Sequence, residues 1–236
     1  MWAQIRSLPG AKLVQAPAGY GEVLLLPVPA DGTKTSSCWL IGRYRDQTRL
    51  ATDLRTSETL QDFVADCSAR FGLRETDRPP VAVERQERYG KNIPGASAGH
   101  DFTGQRLQTL AQPFRPGAAP VNRISDRKEN VRLFWATQTP QSHHIVEFNH
   151  LRDIGVSHES GVGEMDHGQL PCILLAAEFH QRYISSILKR THGWKEDQLR
   201  KGLAHVYASI YASNGACFRP LWEVSQIILR AARIPA

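Results

Sequence analysis

The sequence predicts an α+β protein, and three observations predict it. Short apolar runs bounded by Gly, Pro and Ser lie near the N-terminus. Two further strand-like runs follow residue 130. Helical periodicity then dominates beyond residue 170.

Residues 21–28 (GEVLLLPV) and 37–45 (SCWLIGRYR) read as strands. Residues 57–72 read as a helix, with Ser57 as N-cap, Leu60, Phe63, Val64 and Cys67 as one apolar stripe, and Gly72 at its end. These elements make a small α+β region, 1–75, without a catalytic constellation. Residues 76–130 are rich in Pro, Gly and Arg and read as a linker or irregular wrap, with at most a short helix at 104–110. His100 stands there as a solvated loop histidine. The segment 131–236 has a tighter texture. VRLFWATQ and HHIVEF read as strands, and 152–168 as a polar, Gly-containing loop. Residues 171–190 read as one long helix, with Pro171 in the first turn, where proline is tolerated. Helices over 195–213 and 220–232 close the chain.

The 236 residues are 41% hydrophobic and 22% charged, enough for a full core and against disorder. A net charge of +6 and a pI near 9.3 favour polyanionic partners, nucleic acid or an acidic protein. Cys38, Cys67, Cys172 and Cys217 are scattered, which excludes a cysteine-rich zinc module and disfavours a disulfide scaffold. The N-terminus lacks the apolar core of a signal peptide, and no run approaches the ~20 apolar residues of a membrane span. The chain is expected to be soluble, with any export independent of a signal peptide.

Seven of the nine histidines lie between residues 143 and 192. His143 and His144 are adjacent, and His180 falls on an apolar stripe with Ile173, Ala177, Ile184 and Ile187. Adjacent imidazoles can divide two tasks, one holding a cation and the other deprotonating water. On a strand they point to opposite faces, so the strand must bend or end there if both serve one site.

SHHIVEFNHL (142–151) and DHGQLPCILLAAEFHQ (166–181) resemble the HNH, or ββα-metal, nucleases. The likeness is closest to the His-His variants found as toxin domains of bacterial polymorphic and secreted toxins, and it covers roughly residues 130–190. It implies a nuclease core within 131–236, followed by a helical C-terminal extension. It implies His143 and His180 as ligands of one divalent ion (Mg, Mn or Zn), with His144 as the general base. Where many relatives carry Asn before the Leu-Pro step, this chain has Asp166 and His167, either of which could fill the slot. Glu147 could support a metal-bound histidine or be a strand-surface carboxylate. Arg152, Arg182, Lys189 and Arg190 are near enough to contact phosphates, or form a solvated helix face. Asn149 and His150 sit too close to the pair for the family's asparagine, and His158, His192 and His205 read as solvated or as lying on helix ends and faces.

The resemblance further implies a largely nonspecific endonuclease, a DNase before an RNase, serving as an antibacterial effector. Such a toxin would be made in the bacterial cytoplasm, pass through a secretion-system carrier, and act in the target-cell cytoplasm. It would have an acidic cognate immunity protein. The competing readings are an RNase on the same scaffold and a non-catalytic zinc-stabilised binding module.

Overall fold

A computed structural model describes residues 1–15, 20–28, 37–53, 140–176, 180–214 and 218–235. The expected helices at 57–72 and 104–110, His100, the linker at 76–130 and the strand at 131–138 lie outside these residues.

The described elements run α1 (Trp2–Arg6), β1 (Lys12–Gln15), β2 (Glu22–Val28), β3 (Ser37–Arg43), α2 (Tyr44–Asp53), β4 (Pro140–His144), α3 (Phe148–Asp153) and β5 (Pro171–Ala176). They continue with α4, a π-helical turn His180–Ile184 extended by Ser185–Leu188, then α5 (Glu196–Ile210) and α6 (Arg219–Ala231). The architecture is α+β, as expected. The five described strands form one antiparallel sheet in the order β1-β2-β3-β5-β4.

Strand β2 is apolar at successive positions because both of its faces are covered: Leu24, Leu25 and Leu26 are all buried. Strand β5 follows the same logic and corrects the helix expected at 171–190. Cys172, Ile173, Leu174 and Leu175 are all buried, as a strand held between β3 and β4 requires. A short apolar run matches a helical stripe and a fully buried strand equally well, and burial on both faces decides for the strand. Among the described residues after β5, His180 onward is helical. The HHIVEF run is likewise strand only to His144, then bends through Ile145 and Val146 into α3. Helix α3 enters the segment expected to be loop from 152 onward. The last two helices lie close to expectation.

The contact between β3 and β5 joins the N-terminal strands to the histidine-bearing strands in one sheet. Residues opposite one another in an antiparallel pair share a face. His144, Cys172 and Gly42 therefore lie on one face, and His143 and Ile173 on the other. Helix α2 packs against β4 and β5 on the His144 side. The α5–α6 layer covers the opposite side, where Trp39 meets Phe218 and Tyr211 reaches His143. No helix among the described residues is long and apolar enough to cross a membrane.

Candidate metal centre and catalytic site

Three elements converge at the end of β4. The strand supplies His143, the bend after it supplies Glu147 at the start of α3, and the π-helical turn of α4 supplies His180. Ligand atoms of these three side chains all lie within 4.8 Å of one another, a group that could hold a metal ion. His143 Nδ1 is 3.1 Å from His180 Nε2 and 3.4 Å from Glu147 Oε1.

Their other partners assign the protons. The Tyr211 hydroxyl donates to the Ile145 carbonyl at 2.9 Å, so it accepts from His143 Nε2–H at 3.1 Å. His180 Nδ1–H donates to Gln141 Oε1 at 3.0 Å. In these tautomers each ring turns its other nitrogen inward, where a neutral ring offers a lone pair. Glu147 adds an ionised oxygen. Burial works against its charge, but a proton on His143 Nδ1 bonded to it and the charge of the nearby imidazoles when protonated outweigh burial and hold the carboxyl down to about 2, a value that belongs to the ion-free protein. For His180, burial and the nearby His143 hold the imidazole at about 4, so it is neutral at pH 7. Two nitrogens and a carboxylate oxygen meet in a half-buried space, where a shared proton or a cation can bridge them.

His144 projects to the opposite face, as alternation on a strand requires. Its ring stacks on Tyr44 at 4.0 Å between centroids and 17° between planes. Its Nε2–H donates to the His167 carbonyl at 3.2 Å, which leaves Nδ1 as the ring's lone-pair nitrogen. Burial lowers its pKa to about 4, so it too is neutral at pH 7.

Asp166 and His167 do not join the ion-binding group. The Asp166 carboxylate takes bonds from the Ser160 hydroxyl and from the Val162 and Gly163 amides at 3.0 and 2.9 Å. These bonds close the loop before β5 and hold its pKa below the ordinary carboxylate range, the Ser160 bond most of all. His167 acts on His144 through its carbonyl, while its ring packs edge-on against Tyr44 and Phe148. Glu147 belongs to the ion-binding group itself, because the chain leaves the strand before reaching it.

Beneath the site, His150 is buried in a network of its own. Thr191 donates to the Leu188 carbonyl and accepts from His150 Nε2–H at 2.8 Å. Tyr207 therefore donates to His150 Nδ1 at 2.9 Å, and it accepts the Glu147 amide at 2.7 Å. Burial keeps His150 neutral by lowering its pKa.

An open cleft of about 470 Å³ adjoins the cluster, lined among others by Glu147, His180, Arg152, Lys189, His192 and Trp194. The Trp194 ring lies so close to α5 that a Cβ at Gly202 would come within 2.4 Å of it. Arg152 is exposed, pairs with Asp153 at 3.0 Å, and spreads over the Phe148 ring. Lys189 reaches the cleft, whereas Arg190 is exposed outside its lining. Arg182 lies in the π-helical turn, and its side chain falls outside the description. Asn149 and His192 face the cleft, and His158 and His205 are exposed. Cys172 is a buried free thiol.

The sequence reading missed Tyr44, Gln141, Tyr207 and Tyr211. The two C-terminal tyrosines did carry a signal, being spaced by four on a helix. Comparison with protein-family models, characterised proteins and solved structures matches the chain to none of them.

Proposed function

We propose that this protein is a metal-dependent endonuclease of the His-His, ββα-metal type, acting as an antibacterial toxin. One observation carries the reading: His143, Glu147 and His180 converge with ligand atoms inward, beside a second histidine whose Nε2 is held by a backbone carbonyl. Three protein ligands with an open position suit catalysis better than the closed four-ligand shell of structural zinc. Two imidazoles and one carboxylate suit Zn²⁺ or Mn²⁺ better than Mg²⁺, which prefers oxygen donors.

A divalent ion bound there supplies electrophilic stabilisation to the scissile phosphate and the leaving oxygen. His144, neutral at pH 7, takes a proton from water at Nδ1 while the His167 carbonyl holds the opposite nitrogen. His143 and His144 project to opposite faces at the strand end, which would let base and cation act on a bound phosphate from different sides. In-line displacement needs that disposition. Arg152 and Lys189 offer the cleft charge for the polynucleotide backbone.

DNA is the proposed substrate and RNA the runner-up. Export through a secretion-system carrier and neutralisation by an acidic immunity protein belong to the same reading, supported by the net charge of +6. The test is digestion of plasmid DNA and of RNA with Mg²⁺, Mn²⁺ or Zn²⁺, each with and without chelator. Ion-dependent cleavage of DNA supports the reading, and cleavage confined to RNA moves it to the runner-up. Absence of any cleavage in an ion-binding protein favours the zinc-stabilised module.

A further inference from the structure

Tyr207 and Tyr211 sit one turn apart at the end of α5, both fully buried, with ring planes within 16° and centroids 6.2 Å apart. A buried phenol needs a hydrogen-bond partner. Among the described residues each bonds to at least two partners, and three of these belong to the stretch from His143 to Glu147. Tyr211 accepts from His143 Nε2–H and donates to the Ile145 carbonyl. Tyr207 accepts the Glu147 amide and donates to His150.

That stretch has an unusual task. His143 ends a strand and Glu147 starts a helix, so their donor atoms meet only if the backbone between them keeps one particular bend. The bend at Ile145 and Val146 belongs to neither strand nor helix. One hydroxyl grips it at Ile145 and the other at Glu147. The first also fixes which nitrogen of His143 carries the proton.

We propose that Tyr207 and Tyr211 are positioning residues for the cation site, a two-hydroxyl clamp through which the end of α5 sets the tautomer of His143 and the place of Glu147. The inference rests on the metal reading above. Removing the second partner of a ligating histidine weakens metal affinity ~10–100-fold as a rule. Here Tyr211→Phe removes the only atom that both accepts from His143 and holds Ile145. Tyr207→Phe leaves His143 untouched but frees the Glu147 amide.

The test uses the full chain and three variants: Tyr211→Phe, Tyr207→Phe, and Trp39→Phe as a buried aromatic elsewhere in the core. Calorimetric Zn²⁺ and Mn²⁺ titrations are run beside thermal melts in chelator. Long-range ¹⁵N–¹H correlations on the metal-free protein identify the His143 tautomer. We expect His143 protonated at Nε2 in the wild type and a mixed tautomer in Tyr211→Phe. Affinity should fall ~10–100-fold in both tyrosine variants, and Trp39→Phe should bind normally despite a lowered melting temperature. Wild-type affinity in both tyrosine variants overturns the inference alone, as does a loss that tracks melting temperature across all three. A wild type with the expected tautomer that takes up no ion overturns the metal reading, and this inference with it.

Discussion

His143 Nδ1 and His180 Nε2 face each other at 3.1 Å, each ring bonded to a partner through its far nitrogen. With the Glu147 carboxylate beside them they form a group that could hold a cation. The consequences reach stability as well as chemistry.

Metal affinity should depend on all three side chains. Glu147→Gln and His180→Ala are expected to weaken Zn²⁺ or Mn²⁺ binding and nuclease activity together, because a three-ligand site has no spare donor. Calorimetry and a cleavage assay on the same preparations check this. Unchanged affinity in His180→Ala would reduce that residue to a half-buried filler.

Stability of the metal-free protein should fall on mild acidification. Burial holds His144 and His180 at about 4 in the folded state, against roughly 6.5 in an unfolded chain. Between those values the unfolded chain binds more protons, so stability is complete above pH 6.5 and drains away as pH falls toward 4. For buried His144 the loss amounts to roughly 3 kcal/mol at pH 4. Glu147 works lower: its depressed carboxyl stabilises above the ordinary carboxylate range and loses that contribution as pH falls through about 2. Melts in chelator from pH 7 to 4 should show a shallower slope for His144→Gln than for wild type. Equal slopes would contradict the assigned burial of the neutral ring.

The cleft should bind the polynucleotide backbone. Lys189→Ala and Arg152→Ala are each expected to weaken binding of a catalytically dead protein to DNA of any sequence. Each should also reduce the slope of log affinity against log salt by about one. Arg152 should show the smaller effect, because Asp153 already engages its guanidinium. An unaltered salt slope for Lys189→Ala would place the backbone elsewhere.

The α+β class, the strands at 21–28 and 37–45, the last two helices and the paired histidines were legible in the sequence, because each rests on local chemistry. Period, turn residues and residue type are enough for those. The strand at Pro171–Ala176 was not legible, since an apolar run buried on both faces carries no period that separates it from a helix. Glu147 was misplaced for a related reason: the bend after His144 is imposed by tertiary contacts to Tyr207 and Tyr211, sixty or more residues downstream. Tyr44 was invisible because long-range contacts, the β3–β5 pairing and the packing of α2 on β4 among them, bring it to His144. Asp166 is a ligand type near a motif, and only its bonds to Ser160, Val162 and Gly163 reveal a loop-closing role.

An acidic protein partner should neutralise the chain. Production in a bacterial cytoplasm is expected to arrest growth, and co-production of that partner to restore it. Their association rate should drop steeply as salt rises, since screening weakens the steering of a basic surface toward an acidic one. Harmless production with His143, His144 and His180 intact would end the toxin reading. Arrest with intact chromosomal DNA and degraded RNA would reassign the substrate.

The central claim is a division of labour, in which His143, Glu147 and His180 hold the ion and His144 moves the proton. The most direct measurement is a paired one on His144→Ala, with ion affinity by calorimetry and plasmid cleavage at saturating ion. The account predicts near wild-type affinity with cleavage reduced ~10²–10⁴-fold, the usual contribution of a general base. Undiminished cleavage, or loss of the ion along with activity, would contradict it.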